Sequence, residues 1–272
     1  MKDQKIKSCR YCNDKGYTKD SETGTAVLCR CITKKCECNN DNNNMIYNVK
    51  SNSYKSCDCR GPRIKIKKIN GIFLNSDIPP SYKNKYIECL ATVDSSNKSI
   101  PHIQKLLTVI ESVIENYSDP LKRKGILFWS ESTGTGKTLA ASIIANTLIY
   151  EHIATAKFLK LSSDYFGRLK NTYNAKADER ERDIIKDLID YDILIIDDFG
   201  TQRSTDWENE KLYELIDGRN DRKKITIITS NNNFENIEKE AVTDRIYSRL
   251  IEMCIIYNVK TPCYRQVFLQ KL

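Results

Sequence analysis

The segment Thr133–Thr138 constrains this chain more than any other feature of its sequence. It has the sequence Thr-Gly-Thr-Gly-Lys-Thr and lies between a short apolar run, Gly125–Trp129, and an uncharged stretch that follows Lys137. Glycines let consecutive backbone N–H groups turn towards an anion, and the first turn of a helix adds the positive end of its dipole. The pattern therefore predicts a strand, a phosphate-binding loop and a helix, in that order.

Such a loop predicts binding of ATP with Mg²⁺. We expect Lys137 to reach the β- and γ-phosphates and the hydroxyl of Thr138 to ligate Mg²⁺. The alternative is a Gly/Thr turn that contains a lysine by chance. The residues of this loop predicted to bind the nucleotide are Thr133, Gly134, Thr135, Gly136, Lys137 and Thr138.

Glu131 departs from the usual spacing of this loop, which places a glycine at that position. That glycine mainly eases the turn out of the strand, while later amides hold the phosphates. A carboxylate aimed inward would repel the nucleotide, so we expect Glu131 to point outward. Weak affinity for ATP is the alternative outcome.

Around this loop, short apolar runs alternate with stretches of helical periodicity, which predicts an α/β fold with a parallel sheet and helices on both faces. An amphipathic helix is predicted from Pro101. The predicted strands are Gly125–Trp129, Ala156–Leu161, Asp192–Ile196 and Lys224–Thr229, and the predicted helices are Lys137–Tyr150, Ser163–Tyr173, Asp178–Ile189 and Asp206–Asn220.

Two carboxylates end the apolar strand that follows the second predicted crossover. Asp197 and Asp198 come directly after Ile193–Ile196, at the carboxyl edge where open α/β sheets bind ligands. We expect Asp197 to hold Mg²⁺ and Asp198 to polarise the water that attacks the γ-phosphate. Asn231 follows the next strand and would hold that water. A solvated turn or helix cap is the alternative for each of them.

Charge and cysteine are concentrated at the start of the chain. Residues 1–75 contain 16 Lys and Arg against 7 Asp and Glu, whereas residues 76–272 contain 28 against 29. A basic face of this kind suits a polyanion or an acidic partner. Eight of the 11 cysteines lie in the same segment, in close pairs: Cys9, Cys12, Cys29, Cys31, Cys36, Cys38, Cys57 and Cys59.

These spacings predict Zn²⁺ ligands rather than disulfides. Either two zinc ions bind sequential sets of four, or Cys9 and Cys12 pair with Cys57 and Cys59 around one ion. We favour the sequential sets, because they leave no Cys-x-Cys pair unused. The isolated Cys89, Cys254 and Cys263 are predicted to be small core residues.

The sequence divides into a Cys-rich zinc-binding module (1–60), a basic connector (61–100) and an ATPase domain (101–272). The longest uncharged stretch, Thr138–Tyr150, has about 13 residues, fewer than the roughly 18–20 of a membrane-spanning helix. The N-terminus contains no apolar run typical of a secretory signal. We therefore expect a cytoplasmic protein without a membrane partner.

In this order, these residues resemble an AAA+ ATPase of the DnaC/DnaI helicase-loader and IstB-like group. Besides the glycine loop and the acidic strand end, the resemblance rests on Ile78–Tyr82, on Thr226–Asn231 as sensor 1, on Asp244–Leu250 and on Tyr264-Arg265. It implies that Arg249 is an arginine finger and Arg265 a sensor 2 residue, both catalytic together with Asp198 and Asn231. It also implies self-association through the AAA+ interface, and an N-terminal zinc module that docks a partner.

For Arg249, an ion pair with an acid on a neighbouring element is the alternative. Arg245 and Arg219 are the next candidates for the finger.

The function that the resemblance implies is a slow ATPase that loads a replicative DnaB-type helicase onto single-stranded DNA. The alternatives are an IstB-like transposition helper and a non-hydrolysing adaptor. For DNA contact, Tyr165–Lys170 is a candidate loop, although a core helix explains the same residues. The basic run Arg60–Lys68 is a second candidate, with a solvated charged face as its alternative.

Overall fold

The chain divides into two units, Met1–Leu74 and Asn75–Leu272. The structure is a computed structural model, and it describes residues 9–38, 43–90, 100–173, 180–200, 205–234 and 243–261. Within these ranges no helix combines the length and the apolar character that a bilayer-spanning segment needs. Arg265 and Cys263, for which the sequence analysis makes predictions, lie outside the described residues.

The first unit consists of two antiparallel hairpins and two helices. Its elements are β1 (Tyr17–Lys19), β2 (Ala26–Leu28), α1 (Arg30–Thr33), β3 (Met45–Asn48), β4 (Ser53–Ser56) and α2 (Arg60–Asn75). Two-stranded hairpins are marginal by themselves, so this unit needs other contacts to hold them. Helix α2 occupies the first part of the segment 61–100 that was predicted to be a connector.

Helix α2 packs against the first hairpin through a small apolar core. Ile69 and Phe73 of α2 are buried, as are Tyr17 of β1 and Ala26 of β2. The side-chain amide of Asn70 donates to the carbonyl of Ala26 at 3.0 Å and accepts from its N–H at 2.9 Å. This pair of hydrogen bonds extends the hairpin's hydrogen bonding onto the helix.

The second unit is an α/β domain. Its helices are α3 (Pro101–Glu115), α4 (Lys137–His152), α5 (Gly167–Asn171), α6 (Glu181–Asp190), α7 (Asp206–Asp221) and α8 (Asp244–Met253). Its strands are β5 (Gly125–Trp129), β6 (Ala156–Lys160), β7 (Ile193–Phe199), β8 (Ile225–Ser230) and β9 (Cys254–Asn258). Short helical turns span Pro80–Tyr82, Ile87–Cys89, Asn116–Ser118 and Leu161–Phe166.

The five strands form one parallel sheet in the order β6-β7-β8-β5-β9. The predicted parallel α/β fold is therefore confirmed. Strand β5 matches its predicted bounds, and β7 runs on to Phe199, beyond the predicted end. The predicted helix Ser163–Tyr173 is instead a π-helical turn, Leu161–Phe166, followed by the short α5.

Alternate residues of the strands pack on different helices. Leu127 and Ile196 belong to one buried cluster with Leu188 of α6, Leu215 of α7 and Leu250 of α8. Helix α4 contacts β5, β7 and β8 and is buried nearly all round, as its uncharged sequence predicts.

Helix α7 begins at a reciprocal cap. Thr205 Oγ1 accepts from the N–H of Glu208, and the carboxylate of Glu208 accepts from the N–H of Thr205.

Candidate functional site: a nucleotide pocket and two cysteine clusters

The glycine loop leaves the end of β5 and starts α4. Gly134 and Gly136 have φ angles of 74° and 89°, a left-handed conformation that favours glycine. The Lys137 ammonium lies inside the loop, where Nζ donates to the carbonyls of Ser130 at 3.2 Å and Ser132 at 3.0 Å. Burial lowers the pKa of Lys137, while the nearby carboxylates act in the opposite direction. The loop therefore has the geometry of an anion site with one fixed cation.

Thr138 and Asp197 meet at the start of α4, although they are far apart in the sequence. Thr138 Oγ1 donates to Asp197 Oδ1 at 3.0 Å, and Thr229 Oγ1 of β8 donates to the same oxygen at 2.6 Å. Burial raises the pKa of Asp197, an effect that these two hydrogen bonds oppose. A hydroxyl and a carboxylate at this separation are the hard oxygen donors that Mg²⁺ takes, so the donor set fits this ion.

Asp198 differs from Asp197 in its exposure and in its backbone conformation. It is exposed, whereas Asp197 is buried, and its φ angle of 57° lies in the left-handed region. Thr229 Oγ1 accepts from the N–H of Asp198 at 3.2 Å, and Asn231 Nδ2 lies 3.4 Å from Asp198 Oδ1. The acid and the amide predicted to act on the water thus lie side by side.

These groups surround one cavity of ≈ 520 Å³. Besides the glycine loop, Asp198 and Asn231, its lining includes Tyr82, Lys85, Cys89 and Thr229. Tyr82, Lys85 and Cys89 were not predicted to line the site, and Thr229 was included only as part of the sensor 1 segment Thr226–Asn231. Ile78–Tyr82 was recognised only as a mark of the resemblance, and Cys89 was predicted to lie in the core, which is wrong.

Asn146 of α4 holds the segment that contains Tyr82 and Lys85, two of the residues that line this cavity. It is fully buried, and its Nδ2 donates to the carbonyls of Tyr82 at 2.7 Å and Lys85 at 2.8 Å. An amide in the middle of the uncharged stretch Thr138–Tyr150 is the signal that could have shown this connection. Glu131 is exposed, in agreement with the outward orientation predicted for it.

The arginines predicted to act on phosphate have different environments. Arg249 Nε donates to Asp217 Oδ1 of α7 at 2.7 Å, and Nη1 donates to Glu252 Oε2 at 2.8 Å, so the alternative ion pair is present within this chain. These carboxylates raise the pKa of Arg249. Arg245 is exposed. Arg219 is fully buried, which excludes it as a finger.

The candidate DNA loop Tyr165–Lys170 is mostly part of the core. Tyr165, Phe166 and Leu169 are buried, and the Tyr165 hydroxyl donates to the carbonyl of Lys211 at 2.7 Å. The structure therefore favours a core segment over a DNA-contacting loop. Only Arg168 and Lys170 of this segment are exposed.

The eight paired cysteines of the first unit form two groups of four. The first cluster is Cys9, Cys12, Cys29 and Cys31, and the second cluster is Cys36, Cys38, Cys57 and Cys59. Within each cluster the sulfur atoms lie within 4.8 Å of one another. The structure therefore groups the cysteines in the sequential sets.

The spacing of the sulfur atoms fits a tetrahedral metal. Close pairs are 3.6 and 3.8 Å apart in the first cluster and 3.5 to 4.0 Å apart in the second. Four thiolates at Zn–S distances of about 2.3 Å would lie about 3.8 Å apart, whereas a disulfide requires about 2.05 Å. Backbone N–H groups lower the pKa of Cys9 to about 7 and that of Cys57 to about 6. Each cluster thus contains a thiol that readily becomes a thiolate.

Comparison with known proteins identifies the second unit. The replicative helicase loader DnaC of Escherichia coli (strain K12) is 25% identical over 187 residues, which cover 66% of this chain and 69% of DnaC. The insertion sequence IS232 putative ATP-binding protein of Bacillus thuringiensis subsp. berliner is 31% identical over 153 residues, which cover 53% and 56% of the two chains.

A crystal structure of the DnaC helicase loader matches with a TM-score of 0.55 at 23% identity, over 66% of this chain and 99% of that one. This match supports the predicted fold, a parallel sheet with helices on both faces. The family model described as IstB-like ATP binding protein matches residues 122–270, just over half of the chain, and this region contains the glycine loop, both strand-end carboxylates and Asn231. The chain therefore belongs to the IstB-like ATP-binding protein family.

Proposed function

We propose that this protein is a slow, partner-stimulated AAA+ ATPase that loads a replicative DnaB-type helicase onto single-stranded DNA. The observation that carries the ATPase part is that Lys137, Thr138, Asp198 and Asn231 line one cavity, with Asp197 hydrogen-bonded to Thr138. Three separate strands deliver these groups, which a chance glycine turn does not explain.

Each group has one task in this proposal. The glycine loop and Lys137 bind the phosphates, and Thr138 and Asp197 hold Mg²⁺, which neutralises phosphate charge when bound. The oxygen of the attacking water bonds to the γ-phosphorus, and the bond from the γ-phosphorus to the oxygen of the leaving ADP breaks. Asp198 accepts the proton that this water loses. Asn231 keeps that water in line beside Asp198.

Two substitutions separate binding from hydrolysis. Lys137→Ala removes the fixed cation and should abolish ATP binding, whereas Asp198→Asn should keep binding and lose turnover. Lys186→Ala and Asp187→Asn, at exposed positions of α6, are matched controls. Unchanged turnover in Asp198→Asn would refute its role, and a parent protein that binds ATP without turnover would be the adaptor.

Arg249 is proposed to act in trans on the γ-phosphate bound to an adjacent copy of the chain. Its ion pair with Asp217 is partly exposed, and such pairs are weak enough to be exchanged for a phosphate. Arginine suits this role because its planar fork binds two phosphate oxygens and keeps its charge. Trans-acting fingers contribute roughly 10³–10⁵ in rate.

Comparing two variants tests the finger. If Arg249 serves only its ion pair, Asp217→Asn and Arg249→Ala should have the same effect. A finger predicts that Arg249→Ala loses hydrolysis but keeps ATP binding, that Asp217→Asn retains hydrolysis, and that turnover per chain rises with protein concentration. Mixing Arg249→Ala with Lys137→Ala should then restore some activity, because a mixed interface pairs an intact loop with an intact arginine.

The loader assignment rests on the similarity to DnaC, which its name describes as a replicative helicase loader. The IS232 relative supports a transposition helper as the second candidate. The two have the same ATP chemistry and differ in the protein they bind. Capture of the host's replicative helicase by the tagged chain, with the transposase of an IstB-type insertion sequence as the comparison, decides between them. Capture of the transposase alone would refute the loader.

A further inference from the structure

A groove of ≈ 960 Å³ lies in the Cys-rich unit, outside the region matched by the family model. One wall is the hairpin β3–β4, and the other is the first two turns of α2. The residues that line it are Asn43, Asn44, Met45, Tyr47, Tyr54, Arg60, Arg63, Ile64 and Lys67. Among the residues that the structure describes, this lining includes three cations and two aromatic rings but no acidic side chain.

The hairpin wall presents a pair of tyrosines. Tyr47 and Tyr54 are cross-strand partners, so both rings lie on one face, with their centroids 5.1 Å apart. Such a pair can stabilise a hairpin. These rings nevertheless remain 48% and 69% exposed, which leaves their faces available to a planar ligand. Two exposed tyrosines beside a groove form a stacking platform.

The helical wall presents the cations. Arg60, Arg63 and Lys67 are spaced so that they share one face of α2. Arg60 Nη1 donates to Ser56 Oγ at 3.2 Å and contacts Met45 Sδ at 3.3 Å, which fixes its guanidinium beside the hairpin. Lys65 is also exposed but belongs to another face of the same helix.

The net charge of the first unit also favours an anionic ligand. Its 16 basic and 7 acidic residues leave a surplus of nine positive charges. Two zinc-tetrathiolate sites, each with a net charge of −2, would still leave a surplus of five. A polyanion is therefore attracted to this unit whether or not metal is bound.

We propose that this groove binds single-stranded nucleic acid. Bases would stack on Tyr47 and Tyr54, while Arg60 and Lys67 would contact the phosphates; Arg63, whose side chain is hydrogen-bonded to Cys59, adds positive charge to the groove. Aromatic faces beside a basic track are what sequence-tolerant binding of a single strand requires, whereas an acidic peptide needs the cations but not the two rings. The inference goes beyond the proposed ATPase and does not depend on ATP.

The first test uses the full-length protein and a fluorescent oligothymidylate of about 16 nucleotides, without ATP. Tyr47→Ala/Tyr54→Ala should weaken binding by roughly tenfold for each base that no longer stacks. Tyr47→Phe/Tyr54→Phe keeps both aromatic rings and should bind like the parent. An oligouridylate of the same length shows whether DNA or RNA is preferred.

The second test isolates the phosphate contact. Lys67→Gln should lower affinity and reduce the slope of log K against log salt by about 0.7, the value for one lost contact to a single strand. Lys65→Gln removes the same charge from another face of α2 and should leave the slope near that of the parent.

The position of a crosslink to the oligonucleotide distinguishes binding in this groove from binding to the second unit. Photocrosslinking with 5-bromodeoxyuridine in the oligonucleotide should label peptides within residues 43–67. Zinc content and ATP turnover of the variants should equal those of the parent, which shows that both units are intact.

Three results would overturn the proposal: parent-like binding by the double alanine variant, no crosslink within residues 43–67, or tighter binding of a poly-glutamate peptide than of the oligonucleotide. The last would assign the groove to an acidic protein segment. Failure to capture a helicase would refute the loader and leave these measurements unaffected.

Discussion

Replacing Arg219 by methionine would test whether a buried guanidinium holds three elements of the second unit together. Its Nε donates to Thr226 Oγ1 at 2.9 Å, and Nη1 donates to the carbonyls of Leu188 at 2.7 Å and Tyr191 at 2.9 Å. Nη2 donates to the carbonyl of Ile225. One side chain of α7 thus caps the end of α6 and binds the start of β8.

The cost of losing this side chain comes from the acceptors that it leaves behind. Burial lowers the pKa of Arg219 to about 9, so the group stays charged at neutral pH, and the negative end of the α6 dipole favours that charge. Methionine fills a similar volume but donates nothing. Each buried acceptor left unpaired costs about 1–3 kcal/mol. The burial cost of the guanidinium disappears at the same time, so we expect a net loss of about 3–5 kcal/mol in the free energy of unfolding.

Urea unfolding followed by tryptophan fluorescence measures this loss. Both tryptophans of the chain, Trp129 and Trp207, lie in the second unit, so the signal reports on that unit alone. Arg222→Met is the matched control, because Arg222 directly follows the last residue of that helix and binds Asp190 of α6 in an exposed ion pair. It should cost no more than about 0.5 kcal/mol.

If Arg219→Met does not fold, Arg219→Lys, which keeps the charge and some of the hydrogen bonds, should fold with intermediate stability. Equal losses in the Arg219→Met and Arg222→Met variants would refute the argument.

Three further outcomes are expected. Elemental analysis of protein purified under reducing conditions should give about two zinc ions per chain, one for each cysteine cluster, and a value near one would mean that only one cluster binds. Burial acts to raise the pKa of Asp192, but hydrogen bonds from Lys224 and Thr155 hold it below its ordinary value of 3.8. A depressed carboxyl pKa stabilises the fold above the unfolded-state pKa, and this contribution is lost as the pH falls through the folded-state pKa. Asp192→Asn should therefore lower the free energy of unfolding at neutral pH but not in strong acid, and a difference independent of pH would contradict this. Glu131→Gly should bind ATP at least as well as the parent in a titration, since Glu131 is exposed, and weaker binding would mean that the carboxylate contacts the ligand.

The nucleotide site could be predicted from the sequence because its chemistry is local. The glycine loop needs left-handed residues at fixed positions, and Gly134 and Gly136 have that conformation. Asp197 follows the apolar residues of β7, Asn231 follows β8, and parallel strands bring their carboxyl ends to one edge. Nothing beyond strand order was required to place these residues together.

The features of the site that could not be predicted from the sequence depend on contacts between distant segments. Tyr82 and Cys89 line the cavity in a segment that Asn146 holds through the backbone carbonyls of Tyr82 and Lys85, and no spacing rule connects these positions. Arg219 was kept as a further candidate for the finger behind Arg249, because nothing in the sequence shows that its side chain is buried. Their roles separate only when burial is known, since one is fully buried and the other is partly exposed.

Asp198 shows why two consecutive carboxylates can serve one site. Successive residues of a strand point to opposite faces of the sheet, so a regular β7 would aim Asp197 and Asp198 apart. The register against β8 shifts here: Ile196 is paired with Ile228, but Phe199 is paired with Ser230, which leaves β7 one residue longer than its partner. This bulge puts Asp198 in the left-handed region, at a cost of roughly 1–2 kcal/mol for a residue with a side chain. The hydrogen bond from its N–H to Thr229 offsets part of that cost. Glycine at position 198 would adopt the same backbone without strain, so we infer that a carboxylate is kept here for the role proposed for Asp198 at the cavity that it lines.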